Sequence, residues 1–278
     1  MEPLATPDIA SAPEPGLAQR ATSLSASVVD DQDVDDDAGP QVAGSSDYFH
    51  CFTVGNCSPP SLTGSTKCRE GRDYDVNVVD RNADVAVLSF HGGDIEPESS
   101  ELAKRISNEF GWSRYDFSSH PSAACLEGTS AFSRMHITST HFDDATAVEL
   151  VERHRHALSI HGYSPSRNNY RGTICVGGAN AGEIAKFIDY VDSHKSRFTA
   201  YTLHAIDTTS GERAEAGMDC SGLSGTSSKN IVNRAGSGNG GLQLEMNDGI
   251  KEDLLDSASR YDALRSVFFG ALGAALGG

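Results

Sequence analysis

Three side chains in the middle of the chain have the types and settings to hold a metal ion. His91 follows the apolar run 84–90 (DVAVLSF) and precedes Gly92 and Gly93. Those glycines let the backbone turn sharply and can bring Glu96, five residues on, to the same point in space. His161 closes a second apolar run, 157–161 (ALSIH), and is followed by Gly162. Two imidazoles and one carboxylate are the usual protein set for a catalytic zinc ion, with the fourth position left to water. A plainer reading stands beside this one. A histidine at a strand end next to glycine is often a hydrogen-bonded loop residue, and a His-x4-Glu spacing is not specific by itself.

Glu245 lies in the apolar segment 242–246 (LQLEM). A carboxylate there is costly to bury unless it is paired, so it is either outward-facing or functional. Strand alternation puts Gln243 and Glu245 on one face and Leu242, Leu244 and Met246 on the other. The functional reading is a general base that takes a proton from water activated by a metal. Arg234 ends the segment 230–234 (NIVNR), after a Gly/Ser-rich loop. It is either a surface arginine or a fork for a substrate carboxylate or an oxyanion. Asn230 and Asn233 are expected on the substrate side with it. Segment 135–144 (MHITSTHFDD) concentrates polar side chains before a helix start, and His136 and Thr138 are expected in the wall of a pocket or directly behind the ligands rather than as ligands. No G-x-S-x-G turn, phosphate-binding loop or HExxH pattern occurs. His154 and His156, flanked by Arg153 and Arg155, are expected on a solvated face.

Strands and helices alternate around these residues. The runs 84–90, 157–163, 172–176, 198–206 and 242–246 read as strands. Helices are expected after Ser99 or Ser100, which could cap the first one, with Leu102, Ile106 and Phe110 inward. Others are expected from Asp143 or Asp144 to about His154, along the stripe Ile184, Phe187, Ile188 and Val191, and over most of 253–276. This order implies an α/β fold with a mixed, mainly parallel central sheet and helices on both faces. In such sheets ligands gather at the carboxyl ends of strands, where His91, His161 and Glu245 fall.

The 278 residues carry a net charge of −17. Residues 1–47 contribute −9, with ten acids and the single base Arg20, and the remainder about −8. This first segment is rich in Pro, Ala, Ser and Asp, lacks periodicity, and is expected to be a disordered acidic tail. Residues 48–80 read as an irregular lead-in. An acidic chain without a Lys/Arg cluster is a poor nucleic-acid binder. No apolar stretch reaches the roughly 18 residues of a membrane span, and the Met1 end does not read as a secretory signal. Six cysteines, with no C-x-x-C pair, permit disulfides and argue against a cysteine zinc site. Cys51, Cys57 and Cys68 lie where a staple would be useful; Cys175, in an apolar run, reads as a buried free thiol.

Taken in order, the segments SFHGGDIEPESSELA (89–103), MHITSTHFDD (135–144), ALSIHGY (157–163), VGGAN (176–180), NIVNR (230–234) and GLQLEM (241–246) resemble the poly-γ-glutamate hydrolase family of zinc-binding amidases. The resemblance spans about residues 84–270. It implies an open-sided α/β fold like those of zinc carboxypeptidases and aspartoacylases, with a zinc hydrolase domain over 81–278. It implies one Zn²⁺ held by His91, Glu96 and His161, with Glu245 as base and Arg234 as a substrate-facing cation. The substrate would be poly-γ-glutamate or another γ-glutamyl amide, and a capsule-like polymer and the cysteines point to secreted or extracellular action. Two other readings are a small N-acyl amino acid acylase of the same fold class and a non-catalytic, zinc-stabilised polymer-binding module. The chain departs from the family at 97–101 (PESSE), where a Gly-Thr step is common, which puts the local turn in question.

Overall fold

The apolar runs become the centre of a single seven-stranded sheet. The computed structural model describes residues 68–163, 170–195, 201–210 and 218–277. The tail at 1–47, the lead-in up to residue 67, Cys51, Cys57 and the start of the strand expected at 198 lie outside the described residues. The strands are β1 (Tyr74–Val79), β2 (Val85–Gly93), β3 (Ser113–Ser119), β4 (His156–Gly162), β5 (Thr173–Gly178), β6 (His204–Asp207) and β7 (Leu242–Met246). They lie in the order β1-β3-β2-β4-β7-β5-β6. The pairs β3–β2, β2–β4, β4–β7 and β5–β6 are parallel, whereas β1–β3 and β5–β7 are antiparallel. The sheet is therefore mixed and mainly parallel, as expected. Two strands went unread in the sequence. β1 falls in the stretch expected to be irregular; it is an edge strand of the sheet, and most of its residues are exposed or half-buried. β3 (SRYDFSS) hides its apolar residues among polar ones.

The helices are α1 (Ser99–Phe110), α2 (Ala131–Met135), α3 (Ala145–Arg153), α4 (Ala181–His194), α5 (Asp248–Leu255) and α6 (Asp262–Leu276). One face of the sheet is covered by α1, α4, α5 and α6. Leu102, Ile106, Phe187, Ile250 and Phe268 pack there on Val87, Leu158, Ile160 and Leu244. The other face is covered by shorter pieces, α2, α3 and a 3-10 turn at Ile231–Arg234, which pack Met135, Leu150, Val151 and Ile231 on Ala86, Leu88 and Phe90. α3 starts after Asp144 as expected, and that side chain caps it by accepting from Ala147 N. Neither serine caps α1: Glu98 holds that position in a left-handed conformation, and Ser99 and Ser100 are buried inside the first turn. The stretch 253–276 is largely helical as expected, but it is shared by two helices that part at 256–261, with an extended Asp256 and a short 3-10 turn between them. No described helix is long and apolar enough to cross a membrane.

His154 is a second correction. It is buried at the end of α3, with Nδ1 bonded to Leu150 O at 2.5 Å and Nε2 to Ser113 Oγ at 2.7 Å. Its neighbour Arg153 is exposed and pairs with Asp80, whose other oxygen lies 3.9 Å from His154 Nε2. His156 is half-buried against Glu183. Cys175 is not a free thiol. It is joined to Cys220, and Cys68 to Cys125. The first disulfide ties β5 to a loop 45 residues on, which sequence spacing cannot show. Closing a loop of that length stabilises by about 4 kcal/mol in the chain-entropy model. Replacing Cys175 and Cys220 together by alanine should cost roughly 2–4 kcal/mol in denaturant unfolding. Unchanged stability would mean that this bond is not formed in the folded protein.

Candidate metal centre

The strands β2, β4 and β7 are adjacent and run the same way, so their carboxyl ends form one edge. His161 and Glu245 are registered directly beside each other across β4 and β7, so their side chains share a face. Ala86 is registered to Ala157 and Leu88 to Ser159. Plain alternation would thus align Phe90 with His161 and turn His91 to the opposite face. A β-bulge prevents that. Between Ser89 and Gly92, β2 carries one more residue than β3 does between Asp116 and Ser118. The extra residue shifts the pleat and re-aims the side chain, bringing His91 round to His161. The glycines after it are required by close approach: a Cβ on Gly92 would lie 1.8 Å from Ser100 Oγ, and one on Gly93 2.1 Å from Ser119 O.

Glu96 returns to the same place through a tight turn in which its N–H donates to His91 O at 2.8 Å. The turn ends on Glu98, whose φ is +68°, a conformation that favours glycine. The departure from the family pattern at 97–101 therefore leaves the ligand loop closed, with a non-glycine residue in the left-handed region. Gly162 N donates to Glu96 Oε2 at 2.7 Å and fixes the carboxylate on β4.

The resulting cluster is tight. His91 Nδ1 lies 2.7 Å from Glu96 Oε1 and 3.2 Å from His161 Nδ1, and His161 Nδ1 lies 3.6 Å from Glu96 Oε2. All three side chains are buried. Burial pushes the Glu96 carboxyl up, but the imidazoles of His91, His136 and His161 outweigh it and hold the group well below the ordinary carboxylate range. These donors fit a zinc ion. Bonds of about 2.0–2.1 Å in a tetrahedron put ligand atoms about 3.3 Å apart, close to the 3.2 Å between the Nδ1 atoms of His91 and His161. His91 Nε2 is 2.6 Å from Ile137 O. It donates there, which leaves the Nδ1 lone pair facing the other two ligands. Three lone-pair-bearing atoms so close together call for a positive charge between them. Among the described residues the ligand-type cluster comprises these three side chains, so the fourth position of a tetrahedral site is left to solvent or substrate.

Glu245 stands beside this set, with Oε1 3.9 Å from His161 Nδ1. It is 3% exposed, which removes the outward-facing reading. His136 lies against two of the three: its ring is tilted by 33° to that of His91 with centroids 4.0 Å apart, and its Nε2 is 3.6 Å from Glu96 Oε1. Thr138 follows Ile137 and bonds His141 Nδ1 at 2.8 Å.

The segment 230–234 is placed differently from the expectation. Asn230 and Asn233 are not turned to a substrate. Asn230 is fully buried, and its amide serves Gly225 O, Gln243 Oε1 and Val232 N. Asn233 bonds Gly225 O, Ser227 O, Ala179 N and Gly241 N, joining three loops. Arg234 is half-buried and makes no hydrogen bond or ion pair to a described residue. Its neighbours rest on the amino-terminal ends of β4 and β7: Gly236 N donates to His154 O, and Val232 O packs on Gly241. Those ends are about four residues, roughly 13 Å, from His161 and Glu245. The turn that carries Arg234 is thus anchored at the amino-terminal ends of these strands. Conversely, Gln243 was noted in the sequence only for its strand face, yet it donates from Nε2 to Glu245 Oε1 at 3.1 Å. The Gln-x-Glu alternation of β7 was the one signal for it.

A family model described as poly-gamma-glutamate hydrolase matches residues 64–267. Among curated proteins of Bacillus subtilis (strain 168), the SPbeta prophage-derived protein YoqZ is 29% identical over 201 residues, covering 70% of this chain and 62% of YoqZ. The protein YndL is 32% identical over 182 residues, covering 66% of this chain and 60% of YndL. The chain thus spans about three fifths of the length of these relatives. Among solved structures, a bacteriophage poly-gamma-glutamate hydrolase superposes with a TM-score of 0.55 at 27% identity, over 73% of this chain and 89% of the phage protein. The zinc-free apo form of YndL gives 0.53 at 26% identity, over 72% and 89%.

Proposed function

The chain belongs to the poly-gamma-glutamate hydrolase family, and from that premise we propose that it is a zinc-dependent amidase that cleaves the γ-glutamyl amide bonds of poly-γ-glutamate. The observation that carries this reading is the convergence of His91, Glu96 and His161 next to the buried carboxylate of Glu245, at the ends of adjacent parallel strands. That a structure of the relative YndL is known as its zinc-free form supports zinc as the ion. Bound by the two Nδ1 atoms and the Glu96 carboxylate, zinc would supply Lewis acidity and lower the pKa of water in the open position to about 7.

The remaining steps belong to the protein. Ile137 O and Gly162 N hold His91 and Glu96 in the orientation that presents their lone pairs. Glu245 takes a proton from the attacking water as the oxygen adds to the amide carbon. It then returns that proton to the leaving nitrogen as the C–N bond breaks, giving a carboxylic acid and an amine, and the acid's proton passes to the amine to leave a carboxylate and an ammonium group. His136, packed against the His91 ring, closes one side of the cluster. The two disulfides support action in an oxidising, extracytoplasmic setting.

The test is a metal analysis joined to a degradation assay. The chain should carry one zinc ion, shorten poly-γ-glutamate in gel filtration, lose that activity on chelation and regain it with added zinc. A zinc-loaded chain that leaves the polymer intact but hydrolyses small N-acyl amino acids would replace this reading with the acylase. One that hydrolyses neither would leave only a binding module.

A further inference from the structure

β7 is an interior strand, and all five of its residues are buried. Gln243 and Glu245, two apart, point to the same face. Gln243 Oε1 accepts from Asn230 Nδ2 at 2.8 Å while Gln243 Nε2 donates to Glu245 Oε1 at 3.1 Å. A glutamine amide can be placed either way round, so something must decide which end meets the carboxylate. Asn230 decides it. Its Oδ1 accepts from Val232 N at 3.2 Å, which forces its Nδ2 toward Gly225 O and Gln243 Oε1. With its oxygen occupied, Gln243 must present N–H to Glu245. The loop also lies directly on the amide: a Cβ at Gly225 would come within 2.5–2.7 Å of its oxygen, carbon and nitrogen.

We propose that Gln243 is a positioning residue for Glu245, and that the loop from Gly225 to Asn230 holds the general base through it. This rests on Glu245 being the base in the reading above. A base must be held within about half an ångström and 10–20° of its working geometry. Glu245, on a single strand with three rotatable bonds before its carboxylate, needs an outside donor to fix the plane of that group. Asn230 touches no reacting atom in this scheme; it acts through Gln243.

Two variants of the full, zinc-loaded chain test this on poly-γ-glutamate of defined length. Gln243→Met keeps the shape and removes the N–H. Asn230→Asp sets a carboxylate against Gln243 Oε1 and should turn the amide round, so that oxygen faces oxygen at Glu245. Each should lower kcat by about 10- to 100-fold, with zinc content unchanged and KM held within about threefold. Adding Gln243→Met to Glu245→Gln should cost nothing more, because the two act as one unit. In the metal-free protein, the side-chain amide resonance of Gln243 should move in Asn230→Asp and in Glu245→Gln, a readout independent of turnover. The relay is overturned if wild type is active and Gln243→Met keeps kcat within about twofold, if only KM changes, or if the loss adds in full to that of Glu245→Gln. Should Asn230→Asp fail to fold, Gln243→Met alone decides. A zinc-loaded wild type with no hydrolytic activity would sink the relay together with the function it serves.

Discussion

Glu245→Gln is expected to lower kcat on poly-γ-glutamate by about 10²–10⁴-fold while one zinc ion stays bound. The substitution keeps the size and planarity of the side chain and takes away only its capacity to accept a proton. Glu245 is outside the three-residue ligand set, with its Oε1 3.9 Å from His161 Nδ1, so metal content should not follow activity down. The carbonyl oxygen of the new amide can still accept from Gln243 Nε2, which preserves that hydrogen bond. The loss should therefore appear in kcat, with thermal stability near that of the wild type. Steady-state kinetics and zinc determination on the same preparation give the answer; full activity in a zinc-loaded Glu245→Gln protein removes this residue from the chemistry.

The second large effect concerns the ion itself. His161→Ala should reduce bound zinc from one per chain to a trace and reduce activity by on the order of 10³ or more. Lewis-acid stabilisation is worth several kcal/mol, and each 1.4 kcal/mol or so is a decade in rate. The same variant should abolish the rise in thermal midpoint that added zinc gives the wild type, because only an ion that prefers the folded state stabilises it. In the wild type, chelation should therefore lower the midpoint as well as the activity. A His161→Ala chain that keeps stoichiometric zinc would show that the ion sits elsewhere, and the arrangement of His91, Glu96 and His161 would need another explanation.

Much of this was written in the chain in a form that can be read locally. A short β-branched run followed by His-Gly-Gly is a buried strand with a polar tip whatever else the fold does, because apolar side chains leave water and glycine alone tolerates the close backbone approach at 92 and 93. The same holds for Leu242–Met246, found as a strand over the same residues, and for the helix carrying Ile184, Phe187 and Val191. Periodicity determined the α/β class, and residue type determined which side chains could ligate a metal.

What the sequence could not determine was phase, pairing and direction. His91 reaches His161 because β2 carries one extra residue against β3, a property of two paired strands and not of either alone. Cys175 meets Cys220, and His154 meets Ser113, through approaches of segments 45 and 41 residues apart. Asn230 and Asn233 looked like ligand-binding amides; their partners turned out to be backbone groups of neighbouring loops and Gln243, and these exist only after the loops have packed. Arg234, read from the sequence as a surface arginine or a substrate fork, lies in a turn whose anchors at His154 and Gly241 only packing reveals. Residue chemistry is intrinsic and travels with the chain, whereas the distances that make it useful are set by long-range packing, to which a one-dimensional pattern gives no access.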